Sequence, residues 1–600
     1  MLLKSNDMVA TSKATVFLIF ILFTIISMNY MMGMSLPEFL VGLPRWRQIA
    51  EDKRQSNLNK IPAEWRLSDS VVQESKSSRK ITGDFFDRLL DDETRRITSL
   101  DAEDLLRDIS NSNLTAVQVV TAFSKRAAYA HQLTSNMLEI AFDEALKRAH
   151  ELDDYFKAHD KLVGPLHGLP VTFKDQFHVK GLGTSLGYVG WIDTFEGKKG
   201  TGKEKIFESE ITKELNNLGA VPIGKTSLVT SLWAPETNNN IVGYQWNPHN
   251  QKVSAGGSSG GEAVMQALRG SAFGIGSDIG GSVTMPSSYN GIYALKPSSG
   301  RISMKGVANT APGQQVMPTV AGIMGPSLST LRLVFKSLLS TQPWLHDPYV
   351  LPIPWREPST GDNKPVFGIM EHDDNVHPHP PVRRALKIVY EALKHAGYEL
   401  LDWDPPSSNH SAEIHGPIAR GDGCPDVWEA LKLSGEPPVP EIASLFKDGG
   451  PKPPIPLPEY EDLVVHMKEY RCEYHEYWKS SAEKTKSGQP VAAVIQPVSP
   501  YAGVLPGKFL YSAYSSSMNV LDYPSIVIPV TVADQDVDVV DSTFSPLTEL
   551  DKRNMDAYDP KAYHGSPAGV QIIGRRLSEE HLLEMAQVIV DALRQYEQRN

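Results

Sequence analysis

Two serines, Ser258 and Ser282, stand among glycines in the stretch SAGGSSGGEAVMQALRGSAFGIGSDIGGSVTMPS, from Ser254 to Ser287. Gly256, Gly257, Gly260, Gly261, Gly280 and Gly281 let backbone N–H groups converge on an anion and leave room for a substrate. A serine hydroxyl is a weak nucleophile until a base takes its proton. The upstream segment GPLHGLPVTFKDQFHVKG offers Lys174, set at the end of the apolar run LPVTF, where an ammonium would be desolvated and its pKa lowered. A downward shift of about 2 to 3 units is enough to make lysine a usable base near neutrality.

The surrounding sequence must hold these residues in place. LPVTF, AVPIG and SIVIPV read as buried strands, and EAVMQALRG and ITKELNNLG read as helices. The spacing of Ala116, Val119, Val120, Phe123 and Ala127 marks an amphipathic helix, with Thr115 as its N-cap and Gln118 closing a capping box. Strands alternating with helices imply an α/β architecture. Prolines crowd Leu351 to Pro365 and Gly435 to Pro458, which read either as surface connections or as loops rimming an active-site mouth. Asp534 to Asp541 reads as a solvated acidic loop, and NPHNQKVSAGG as a loop.

GPLHGLPVTFKD, SAGGSSGGE and GSDIGGSV together resemble the amidase signature family, whose members hydrolyse carboxamides through a Ser-Ser-Lys triad. LKPSSGRISMKG, from Leu295 to Gly306, is similar to the fungal acetamidase-like branch. The likeness runs from about residue 95 to the C-terminus, through NVLDYPSIVIPV and PAGVQIIGRR. It implies that Lys174 is the base, Ser258 a bridging serine held by a cis peptide, and Ser282 the acyl-forming nucleophile. The N–H groups of Ile279, Gly280, Gly281 and Ser282 would then cradle the oxyanion, with no metal or cofactor. The implied fold is a single large α/β/α domain around a mixed β-sheet, spanning residues 96–600. One position departs from the pattern: Thr284 stands where the family commonly carries an arginine paired with the aspartate that is Asp278 here. Asp278 must therefore find hydroxyl or backbone donors, and a reshaped pocket would favour substrates beyond the simplest carboxamides.

Rival motifs fit less well. Gly256 to Gly260 satisfies G-x-S-x-G, the elbow of an esterase with a later histidine, for which His564 is the best candidate. Gly219 to Thr226, GAVPIGKT, matches a phosphate loop letter for letter, but its intervening residues read as a strand and Pro222 has no N–H to give. An amidotransferase-type subunit passing ammonia to a partner, or a catalytically silent binding protein, are further alternatives that the three chemical residues disfavour.

The chain has 600 residues, 41% of them hydrophobic and 22% charged, as expected of a large globular enzyme. A net charge of −12 argues against a nucleic-acid partner. Cys424 and Cys472 make no disulfide framework or metal motif. Uncharged Ala14 to Met34 is long enough to span a bilayer and reads as a hydrophobic helix within an N-terminal segment of residues 1–34. Lys4 and Lys13 precede it, while Arg45, Arg47, Lys53 and Arg54 follow, which favours a single-pass anchor with a cytosolic catalytic domain. Sequons at Asn113 and Asn409 point the other way. Residues 35–95 read as an arm packed on the enzyme body. The expected partner is a small amide substrate, and the sequence does not specify an oligomeric state.

Overall fold

Apolar runs too continuous to face water on either side become the central strands of one sheet in the computed structural model, which describes residues 44–358 and 364–599. Its strands are β1 (Met137–Ile140), β2 (Pro170–Lys174), β3 (Val221–Thr226), β4 (Phe273–Asp278), β5 (Tyr293–Lys296) and β6 (Val320–Gly325). They continue with β7 (Val366–Ile369), β8 (Glu399–Asp402), β9 (Ala493–Pro497), β10 (Ser525–Val532) and β11 (Pro567–Ile573). The spatial order is β1-β3-β2-β4-β6-β5-β10-β11-β9-β7-β8. β3, β2 and β4 run parallel, as do β9, β7 and β8, and the remaining neighbours are antiparallel, so the sheet is mixed.

Alternation along the strands assigns the two faces. Leu295, Ile323, Ile526, Ile528, Val570 and Ile572 pack against helices Leu328–Ser340, Pro380–His395 and Glu579–Glu597. Ala294, Met324 and Val527 face the other way, onto Ala263, Val283, Met285 and Tyr289. Further along that side, Val494 and Ile573 meet Ile414 and Ile418 of helix Ser408–Arg420 and Tyr470 and Tyr474 of helix Leu457–Ser480. The result is a helix–sheet–helix sandwich.

The helix Ala116–Thr134 begins with the expected reciprocal cap: Thr115 Oγ1 accepts from Gln118 N and Gln118 Oε1 from Thr115 N. Before it, Ile61, Trp65, Ile81, Phe86 and Leu90 bury themselves against Val120, Ala127 and Phe142. Lys53 and Lys60 of that region both reach Glu139 on β1. The segment Ala14–Met34, expected to form a membrane-spanning helix, lies outside the described residues. Among the described residues no helix is long and apolar enough to cross a membrane.

Two readings of loops are corrected. NPHNQKVSAGG, together with the preceding Trp246, forms a small hairpin, Trp246–Asn247 with Asn250–Ser254, separate from the main sheet. Asp538, expected in a solvated loop, is 2% exposed because Arg384 grips both its oxygens at 2.7 and 2.8 Å.

Candidate active site

Parallel pairing brings the ends of β2 and β4 side by side, with Phe173 opposite Ile275, so the side chain of Lys174 reaches Ser277 on the next strand. Lys174 is fully buried. Its Nζ donates to Ser258 Oγ at 2.6 Å and to Ser277 Oγ at 2.9 Å, with the Ser277 carbonyl at 3.4 Å. Ser277 Oγ in turn donates its own proton to Gln176 Oε1, so toward Lys174 it acts as an acceptor. A neutral amine has two N–H groups and one lone pair. The two acceptors of Ser277 match those N–H groups, so in the neutral amine the donation to Ser258 gives way to a lone pair that can accept the Ser258 proton. Burial drives the Lys174 pKa down from 10.5 to about 7, with the negative charge of Asp278 acting in the opposite direction.

Ser258 follows the 246–254 hairpin and stands one residue before Ser259, the N-cap of helix Gly260–Ala267, and the Gly257–Ser258 peptide is cis. Ser282 lies on the turn after β4 and is 8% exposed. Ser258 and Ser282 line one cavity, but no hydrogen bond joins their hydroxyls.

Asp278 at the end of β4 organises that turn. Its Oδ1 accepts from Gly281 N at 2.8 Å and from Asn519 Nδ2 at 3.0 Å, and its Oδ2 from Val283 N at 2.7 Å and Thr284 N at 3.3 Å. Backbone donors and one amide thus serve the carboxylate in place of an arginine. This changes the expected oxyanion set. The Gly281 N–H is engaged by Asp278, whereas the N–H groups of Ile279, Gly280 and Ser282 have no protein acceptor among the described residues.

His415, from helix Ser408–Arg420, holds the turn from the far side. Its Nε2 donates to the Ile279 carbonyl at 2.7 Å, and burial lowers its pKa to about 4, which keeps the ring neutral near pH 7. The peptide is planar, so fixing the Ile279 carbonyl toward His415 aims the Gly280 N–H the opposite way. Glycine is required here by crowding. A Cβ on Gly280 would lie 2.9 Å from the His415 ring, and one on Gly281, where φ is +108°, would lie 2.6 Å from Ser515 Cβ.

The cavity is also walled by Leu232, Trp233, Ser277, Ile279, Asn309, Thr310 and Thr319, around about 240 Å³ of empty space. No described residue of either proline-rich stretch lines it. Val439, Ile442 and Leu445 instead pack behind Leu232. A larger groove, about 1350 Å³, lies elsewhere between helix Pro380–His395 and residues 537–544 and contains none of the three chemical residues.

The rival motifs do not form sites. Lys225, the lysine of the phosphate-loop match, is buried on β3 with Nζ on Gly183 O, Thr184 Oγ1 and Asp175 Oδ1 at 2.5, 2.6 and 3.1 Å. His564 accepts from Gln535 N at 3.2 Å and its side chain is 44% exposed, while Ser258 has Lys174 and no histidine as partner. Sequence reasoning missed Ser277, Gln176, His415 and Asn519. Only Ser277 had a local signal, its place beside Asp278 in GSDIGG.

A large mixed-sheet domain with a buried lysine beside two glycine-flanked serines defines a class, and comparison with known proteins identifies it. The family model described as Amidase matches residues 118–583, and the chain belongs to that family. It is an amide-hydrolysing enzyme. It is 38% identical to an acetamidase of Aspergillus oryzae over 91% of this chain and 98% of that one. It is likewise 38% identical to an acetamidase of Emericella nidulans, over 91% of this chain and 97% of that one. Among solved structures, a fatty acid amide hydrolase superposes with a TM-score of 0.83 at 31% identity, covering 91% of this chain and 95% of that one.

Proposed function

We propose that this enzyme cleaves a carboxamide to a carboxylate and ammonia or an amine through Lys174, Ser258 and Ser282, with an acyl-enzyme on Ser282. The observation that carries this reading is the buried Lys174 amine, 2.6 Å from Ser258 Oγ, beside a cavity that also holds Ser282. Neutral Lys174 takes the proton of Ser258, Ser258 takes that of Ser282, and Ser282 Oγ attacks the amide carbonyl. The relay requires the Ser282 hydroxyl to swing onto Ser258 when substrate enters.

The oxyanion that forms is received by the free N–H groups of the 279–282 turn, with Gly280 aimed by His415. The relay then runs backwards. The proton passes to the amide nitrogen, the C–N bond breaks, and the amine leaves. Water, deprotonated along the same path, attacks the ester carbonyl and Ser282 departs as the alcohol, restoring neutral Lys174.

A compact acyl group suits the space. The cavity around Ser258 and Ser282 is narrow, closed in by Leu232, Trp233 and Ile279. The acetamidase names of two relatives support the same reading. This reading departs from the expectation of substrates beyond the simplest carboxamides, which was drawn from Thr284, whose hydroxyl donates to Ser515 Oγ at 3.3 Å. The proposal keeps Ala14–Met34 as a membrane anchor with the catalytic domain on the cytosolic side, supported by its uncharged sequence and flanking charges.

Fluorophosphonate labelling followed by peptide mapping tests the site, and competition with amides from acetamide to long-chain fatty amides tests the pocket. The expected result is label on Ser282, with short amides protecting best. Label on another serine overturns the triad, and protection only by long-chain amides overturns the compact substrate. Hydrolysis by the isolated chain separates this reading from an ammonia-donating subunit, which would need its partner.

A further inference from the structure

Helix Glu210–Asn217 places Glu210 and Glu214 one turn apart on the same face. That face meets His346, which follows the short turn Pro343–Leu345. We propose that Glu210, Glu214 and His346 bind a divalent transition-metal ion of zinc type, tying this helix to the 343–347 turn.

Glu214 carries an orphaned oxygen. Glu214 is 2% exposed, and its Oε2 has no hydrogen-bond partner. A buried carboxylate oxygen left bare needs an explanation. The protein's own cations do not supply one. Lys213 pairs with Glu210 Oε2 at 3.3 Å, and Lys305 donates to the His346 carbonyl at 2.6 Å. Asp347 adds negative charge nearby, but its oxygens are held by Ser303 Oγ at 2.7 Å and Tyr349 N at 3.0 Å.

The donor set suits such an ion. His346 Nδ1 lies 3.4 Å from Glu214 Oε1 and 4.0 Å from Glu210 Oε1, and one ligand atom from each residue falls within 4.8 Å of the others. Ligands around a tetrahedral ion with bonds of about 2.0 Å stand roughly 3.3 Å apart, so a small inward movement of Glu210 completes the site. An imidazole nitrogen with two carboxylates favours zinc over calcium or magnesium, which prefer all-oxygen shells. The His346 side chain is 44% exposed, so an ion can enter and water can fill the fourth position.

The site would bear on the catalytic cavity. Glu210 N donates to the Lys305 carbonyl at 3.0 Å, and Ser209 Oγ to the Gly306 carbonyl at 2.8 Å. The same segment continues to Asn309 and Thr310 in the cavity wall. An ion here would brace that wall without touching substrate.

The test uses the full-length protein, stripped with chelator, titrated calorimetrically with zinc and separately with cobalt as a spectroscopic probe. One tight zinc per chain and visible cobalt absorption of tetrahedral type are expected. Glu214→Gln and His346→Ala should each weaken binding at least about 100-fold, the upper end for losing a supporting partner alone. His346 is partly exposed, so His346→Ala decides the matter if Glu214→Gln fails to fold. The absence of stoichiometric zinc, or zinc affinity unchanged in His346→Ala, overturns the proposal.

Discussion

Replacing Lys174 by methionine should abolish turnover and yet make the protein more stable at neutral pH. Folding buries this amine and lowers its pKa from 10.5 to about 7, chiefly by desolvation. At pH 7 the unfolded chain holds the proton almost fully and the folded protein holds it half the time, so folding works against roughly 4 kcal/mol. Methionine is close in length and carries no charge, so that opposition vanishes with little change in packing. Against the gain stand the lost contacts to Ser258 and Ser277, at 2.6 and 2.9 Å, worth about 1 kcal/mol each. A net stabilisation of about 2 kcal/mol remains.

The sign with pH follows from the same shift. Between about pH 7 and 10.5 the unfolded state binds more protons than the folded one, so wild-type stability climbs as pH rises across that window. Lys174→Met lacks this climb, and its advantage should disappear by about pH 10. Urea denaturation of both proteins at pH 7 and pH 10, beside amide turnover, measures this. A variant that is less stable at pH 7 and keeps the wild-type pH slope would refute the buried neutral amine, and retained turnover would refute its role as base.

Three further outcomes are expected. kcat/KM should fall about tenfold per pH unit below 7, as Lys174 takes up the proton it must accept from Ser258, and hold steady just above; a profile flat from pH 5 to 8 would contradict this. His415→Ala strands the Ile279 carbonyl and frees the peptide that aims Gly280, so kcat should drop roughly 10- to 100-fold while KM changes little; a rise in KM with kcat intact would show that His415 serves substrate binding instead. Removing residues 1–34 should leave turnover unchanged and release the protein from membrane fractions, and a full-length protein that never sediments with membranes would remove the anchor.

Much of the candidate site is legible in the chain because its signals are local. Ser258 and Ser282 are marked by the glycines beside them, and Lys174 by the apolar residues that form β2. Strands β2, β3 and β10 were legible as apolar runs, and the helix from Ala116 as a periodic face with its own cap. The hairpin at 246–254 escaped notice because its strands are too short to show alternation. Asp538 escaped because its partner Arg384 lies 154 residues away.

Residue type and spacing along the chain determined which groups could do chemistry: two hydroxyls with glycine around them and an amine among apolar neighbours. Tertiary packing decided how those groups are poised. Gln176 orients Ser277 from 101 residues away, His415 reaches Ile279 across 136, and Asn519 reaches Asp278 across 241. Such contacts have no periodicity and no adjacent motif. They exist only because a mixed sheet closes distant loops onto one edge, where burial shifts the lysine and leaves each remaining polar atom in need of a partner.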